Sequence, residues 1–204
     1  MRRDNEALVF CRLDEYGAEA VYNEYMKKDF PSNELKPFFA IKKAMEEGTY
    51  TAFGAYRGGE LYGYAYFATA EKDGETIALL DYFAVVPEKR GQGIGTEMLK
   101  ALSPERLCCS CILIESESTD GTTDPREKEV RQRRIRFYEN CGAVNTGVAA
   151  RLYGVDYDIL AVCRRGNSLG EEEAYRLIGY MYNEMYGNLP WYPEKAGVWL
   201  KKNR

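Results

Sequence analysis

The 204-residue sequence contains no histidine. Both the commonest general base near neutral pH and the commonest neutral metal ligand are therefore missing. Acid–base chemistry must fall to Asp, Glu, Tyr, Cys, Lys or water. Long apolar runs are also missing, since nothing approaches the roughly 20 residues that a membrane helix needs, and no membrane partner is expected. The N-terminus, MRRDNEALVF, has basic residues with no apolar run behind them, so no cleaved signal is expected. A positive balance is lacking too. The net charge of −4 argues against a nucleic-acid partner held by phosphate neutralisation, and it is compatible with cationic or amine partners.

Six cysteines without histidine read as free thiols of a reducing compartment, which makes the cytoplasm the expected location. Cys108, Cys109 and Cys111 lack a second Cys-x-x-Cys, so buried thiols are expected and a metal is not. Cys141 is read the same way. The length suits a single filled core.

Alternation and turn chemistry predict a strand over 7–13 and an amphipathic helix through DEYGAEAVYNEYMKKDF. A second helix is expected over 34–47, ending at Gly48. TYTAFGAYR, ELYGYAYFAT and TIALLDYFAVV then form an antiparallel meander, joined by GG and KDG turns. Ile94, Met98, Ala101 and Leu102 line one face of a helix that stops at Ser103 and Pro104. CCSCILIES is a buried strand, 126–140 a charged helix, and two closing strands flank Gly154. Ser168 and Glu171 resemble a capping box for a last helix with Ala174, Leu177, Ile178, Met181 and Met185 on its apolar face. This order predicts an α/β (α+β mixed) fold: a mixed, mostly antiparallel sheet with helices on both faces and an extra C-terminal helix.

The segment VPEKRGQGIGTEM places glycines at 91, 93 and 95 between a strand and a helix. Thr96 and Glu97 after the last glycine exclude a phosphate loop, which needs lysine there. Thr96 also stands where a dinucleotide loop needs its third glycine. What remains is a turn that offers backbone N–H groups at a helix start, where an anion is favoured.

With its flanks, this stretch resembles the acyl-CoA motif of the GNAT superfamily of N-acetyltransferases, Q/R-x-x-G-x-G/A, met as Arg90, Gly91, Gln92, Gly93, Ile94 and Gly95. The resemblance implies acetyl-CoA (coenzyme A) as cofactor. Phe83, Ala84 and Val85 would lie beside the pantetheine arm, and Arg90 to Thr96 would hold the pyrophosphate. RRIRFYENCGA resembles the family's helix ending in a tyrosine, which makes Tyr138 the expected general acid for the departing CoA thiolate. A phenol stays protonated at neutral pH, so the role is chemically reasonable. Glu115 matches the family's glutamate on the preceding strand and is the expected base, with Glu117 and Asp81 as further candidates.

Two features depart from the family pattern. STDGTTDPREKE lengthens the segment between Glu115 and Tyr138, and Arg131 stands where many members have asparagine. The arginines at 131, 133, 134 and 136 are read mainly as a solvated helix face, with contact to CoA phosphates as the alternative. The resemblance implies an acetyltransferase domain over 1–165 and a helical extension over 166–204 packed on it. For NLPWYPEKAGVWL, core packing is preferred over a homodimer contact or a wall of the acceptor site. The expected activity is acetyl transfer to a primary amine by direct attack. The alternative is a CoA-binding or interaction module that has lost transfer. The acceptor itself is not legible.

Overall fold

A computed structural model describes residues 6–165, 167–190 and 192–201. In chain order the elements are β1 (Val9–Leu13), α1 (Glu15–Val21), a π-helical turn (Tyr22–Met26), α2 (Lys27–Asp29), α3 (Phe38–Glu46), β2 (Tyr50–Arg57), β3 (Glu60–Lys72) and β4 (Glu75–Val85). α4 (Ile94–Ala101), β5 (Cys111–Glu117), α5 (Pro125–Asn140), β6 (Val144–Leu152), β7 (Val155–Cys163), α6 (Glu171–Tyr186), α7 (Tyr192–Lys195) and β8 (Ala196–Leu200) follow. The strands hydrogen-bond in the order β1-β2-β3-β4-β5-β7-β6-β8. The fold is the expected mixed one with a mostly antiparallel sheet.

Three hairpins turn at left-handed pairs: Gly58 and Gly59 (φ 58° and 79°), Asp73 and Gly74 (54° and 81°), and Tyr153 and Gly154 (51° and 86°). Positive φ at both central residues matches the right-handed twist of the flanking strands. The GG and KDG expectations hold for this reason.

The chain divides into two compact units, residues up to 69 with 80–102, and 70–79 with 103 onward. In the first, tyrosines fill the core and their phenol tips anchor its surroundings. Tyr66 donates to the Ala18 carbonyl (2.9 Å), Tyr64 to Asp29 (2.7 Å), and Tyr22 to the Lys36 carbonyl (2.9 Å). Tyr82 donates to the Glu34 carbonyl (3.0 Å) and accepts the Lys36 amide (2.8 Å). Each phenol thus buries a large ring without stranding its hydroxyl.

In the second unit β5 and β6 flank β7, all antiparallel, and β8 pairs antiparallel with β6. α6 buries Ala174, Ile178, Met181, Tyr182 and Tyr186, and Tyr180 donates to the Glu71 carbonyl at 2.7 Å.

Three expectations are corrected. α3 begins at Phe38 rather than 34, because the residue before Pro37 is disfavoured in helical backbone. The cap of α6 is extended Gly170 with no side-chain bond, so Ser168 caps nothing there. Glu171, Glu172 and Glu173 in the first turn supply the dipole compensation instead. The terminal segment carries β8, a strand that the sequence pattern does not show.

Gly63 on β3 marks the tightest approach in the first unit. A Cβ there would lie 2.5 Å from Met98 Sδ and 2.7 Å from the Ala84 carbonyl oxygen. The sulfur could swing away, but the backbone oxygen could not. Gly63→Ala should destabilise the fold by about 1–3 kcal/mol, as overpacking does, lowering the melting temperature by roughly 2–10 °C in a thermal melt.

Candidate active site

β4 delivers Phe83, Ala84 and Val85, all half-exposed, and Val86 closes the strand by donating its amide to the Tyr62 carbonyl at 3.0 Å. A single 3-10 turn, Pro87–Lys89, leads to Arg90. Gly91 (φ 76°) and Gly93 (φ 79°) are both left-handed, and Gly93 caps α4. Nothing lies within 4 Å of a Cβ at either position, so the requirement is conformational rather than steric. Gly95, inside α4, has no such backbone. The first amides of a helix have no intrahelical acceptor, so the start of α4 offers donors together with the positive end of its dipole. Ile94 and Met98 are buried and fix that start.

Two side chains of the motif are engaged. Arg90 donates through Nε to the Val85 carbonyl (2.9 Å) and pairs with Asp29 (3.3 Å), and Gln92 reaches the Glu88 carbonyl (3.4 Å). Asp81, the alternative base, pairs with Lys36 (2.6 Å) and accepts a hydrogen bond from Tyr50. With only 7% of its side chain exposed, this carboxylate is committed to holding residues 31–37 on the sheet.

In the second unit, β5 presents Glu115 and Glu117 on alternating, half-exposed positions around buried Ser116. Glu117 lies between Arg131 (3.2 Å) and Arg134 (2.6 Å) of α5. Arg131 is buried, pairs also with Glu127 (2.7 Å), and donates to the Ser118 carbonyl (2.8 Å). Its guanidinium organises the inserted segment, and Gly121 leaves room for it: a Cβ there would stand 2.9 Å from Arg131 Nη1. Arg131 and Arg134 are therefore not a plain solvated face.

Glu115 accepts a hydrogen bond from Tyr182 of α6. Tyr182 is fully buried, and burial together with the carboxylate pushes its phenol well above the usual range. Sequence periodicity places Tyr182 beside Met181 and Met185 but carries no signal that its hydroxyl meets β5.

Tyr138 lies in the last turn of α5, which ends where Gly142 (φ 98°) turns left-handed and the amides of Cys141 and Ala143 donate to the Tyr138 carbonyl (3.0 and 3.1 Å). Burial pushes its phenol up to about 12, so it stays protonated throughout the physiological range. A cavity of about 390 Å³ in the second unit is lined by Lys72, Cys111, Cys163, Glu173 and Arg176 among others, but by neither Glu115 nor Tyr138. Burial raises the Cys111 thiol to about 12, so it is not a nucleophile at neutral pH. Among the described residues no three His, Cys, Asp or Glu side chains gather to hold a metal, and no helix is long and apolar enough to cross a membrane.

Residues 48–142, which contain the glycine turn, Glu115 and Tyr138, match the family model for the acetyltransferase (GNAT) domain. Over that stretch, just under half of the chain, the sequence is similar to a GNAT acetyltransferase domain. Among solved structures, a spermidine N-acetyltransferase from Vibrio cholerae in complex with CoA and spermine is 14% identical, with a TM-score of 0.56 over 82% of this chain and 97% of that one. A GNAT-family acetyltransferase from Desulfovibrio desulfuricans is 20% identical, with a TM-score of 0.56 over 77% and 99%. An N152L variant of the Vibrio cholerae enzyme is 13% identical, with a TM-score of 0.58 over 76% and 93%. Among curated proteins none matches. These likenesses establish a shared fold. The matched family model is one of acetyltransferases, and the Vibrio cholerae structure holds CoA.

Arg131→Ala should unfold the protein more easily, by about 1–3 kcal/mol in urea melts, because Glu117 and the Ser118 carbonyl lose a buried donor. Calorimetric affinity for CoA should stay within twofold of wild type. A loss of tenfold or more would make Arg131 a cofactor contact instead.

Proposed function

We propose that the protein transfers acetyl from acetyl-CoA to a primary amine by direct attack of the amine on the thioester. The observation that carries this reading is the left-handed turn at Gly91 and Gly93, which opens α4 with unpaired amides at the end of β4. Of the expected Arg90 to Thr96 cradle, the amides of 91–96 would take the pyrophosphate, and the main chain of 83–85 would pair with the pantetheine arm. The Arg90 guanidinium is turned to Val85 and Asp29 and its amide donates to the Pro87 carbonyl (3.3 Å), so the cradle falls to the amides that follow it. A strand amide polarises the thioester carbonyl and stabilises the oxyanion as it forms.

In this account Glu115 takes a proton from the acceptor ammonium, directly or through water, and the freed amine attacks the carbonyl carbon. The C–N bond forms, the C–S bond breaks, and Tyr138 protonates the departing thiolate. A phenol near 12 gives up a proton to a thiolate reluctantly. Transfer is therefore coupled to loss of the second nitrogen proton, which restores the phenol. The described cysteines are all free thiols, which supports a reducing location such as the cytoplasm.

Tyr138→Phe should lower kcat by about 10²–10³-fold while leaving the KM for acetyl-CoA within threefold, the split of a group that acts in the transition state. Equal loss in both would make Tyr138 a packing residue. Screening polyamines, aminoglycosides and peptide amines for CoA release checks the reaction itself. Tight CoA binding with no turnover on any of them would favour a module that binds CoA without transferring its acyl group. The inserted segment, tied down by Arg131 through Glu127 and the Ser118 carbonyl, is the observation that favours this second reading.

A further inference from the structure

The C-terminal helix lies outside the residues that match the acetyltransferase domain, yet it delivers a buried hydroxyl to a strand residue of that domain. We infer that Tyr182 is a positioning residue for Glu115: through one hydrogen bond, residues after 166 hold the proposed base ionised and oriented. This inference rests on the reading of Glu115 as the base.

Tyr182 is placed with no freedom of its own. Its side chain is fully buried with Ile178 and Met181 on the inner face of α6, and its ring meets Tyr186 at 6.0 Å between centroids. Tyr186 in turn meets Tyr192 at 6.4 Å, so the aromatic contact continues into α7. α6 packs on β6 and β8, and β8 is pinned by Lys201, whose ammonium lies 2.7 Å from buried Asp158 of β7. The donor to Glu115 thus depends on the whole terminal segment being docked.

The chemistry runs one way. Around the pair stand Tyr157 of β7 and Tyr186 of α6, both phenols, while Arg131 and Arg134 of α5 are taken up by Glu117. A phenol held well above its usual range keeps its proton, so Tyr182 acts on the carboxylate as a donor and not as a second acid. A donor to a carboxylate stabilises the charged form. It also fixes which oxygen is engaged and so orients the other, which a freely rotating carboxylate could not guarantee.

The test uses the full chain with glutamate labelled at the side-chain carboxyl carbon. In Tyr182→Phe the ring remains to fill the core and only the donor is lost, so the Glu115 resonance should titrate about one pH unit higher than in wild type. The acid limb of the rate profile, measured with spermidine as probe amine, should move up by the same amount, and the KM for acetyl-CoA should stay within twofold. An unchanged titration midpoint overturns the inference while leaving Glu115 as the base. Glu115→Gln separates the two ideas: full turnover in that variant removes the base and the positioning role with it. A loss of at least tenfold, with no further loss in Glu115→Gln/Tyr182→Phe, supports both.

Discussion

Left-handed backbone at Gly91 and Gly93 is the constraint on which the entry into α4, and the proposed cradle with it, depends. A side chain at either φ would cost about 1 kcal/mol or more, and the chain could not turn from β4 directly into the first turn of α4. Because the turn is tight, Ile94 and Met98 reach the core within one and two helical turns, and Gly63 on β3 yields the space that Met98 takes. The helix start is thereby fixed from behind while its amides stay uncovered. Rigid placement of these donors is a packing outcome before it is a chemical one.

The absence of histidine shapes everything else. Phenols anchor the core of the first unit, and burial pushes Tyr138 and Tyr182 upward, as it does the thiols of Cys109 and Cys111. None of these changes charge near neutrality, which leaves carboxylates as the groups able to accept a proton there. Of the three candidate bases, Asp81 is committed to Lys36 and Tyr50, and Glu117 to Arg131 and Arg134. Glu115 accepts a hydrogen bond from the neutral Tyr182 hydroxyl, which supports its charged form.

Much of this was legible in the sequence for local reasons. Turn pairs, the β4–glycine–α4 sequence and the end of α5 at Gly142 are each fixed by residues within a few positions of one another. What the sequence hid is long-range. The partnership of Arg131 with Glu117 spans the inserted segment, and periodicity alone reads Arg131 as helix surface. The hydrogen bond from Tyr182 to Glu115 joins residues 67 positions apart, and only its apolar neighbours were visible. β8 was hidden because AGVWL is short and follows proline-rich chain, and its strand character comes from pairing with β6.

The most direct test of the central claim is a crystal structure of the protein with CoA bound. The account requires pyrophosphate oxygens within hydrogen-bond distance of the backbone amides of residues 91–96, with the pantetheine arm paired to the main chain of 83–85. CoA held elsewhere, or pyrophosphate contacts made chiefly by the α5 arginines, would contradict it.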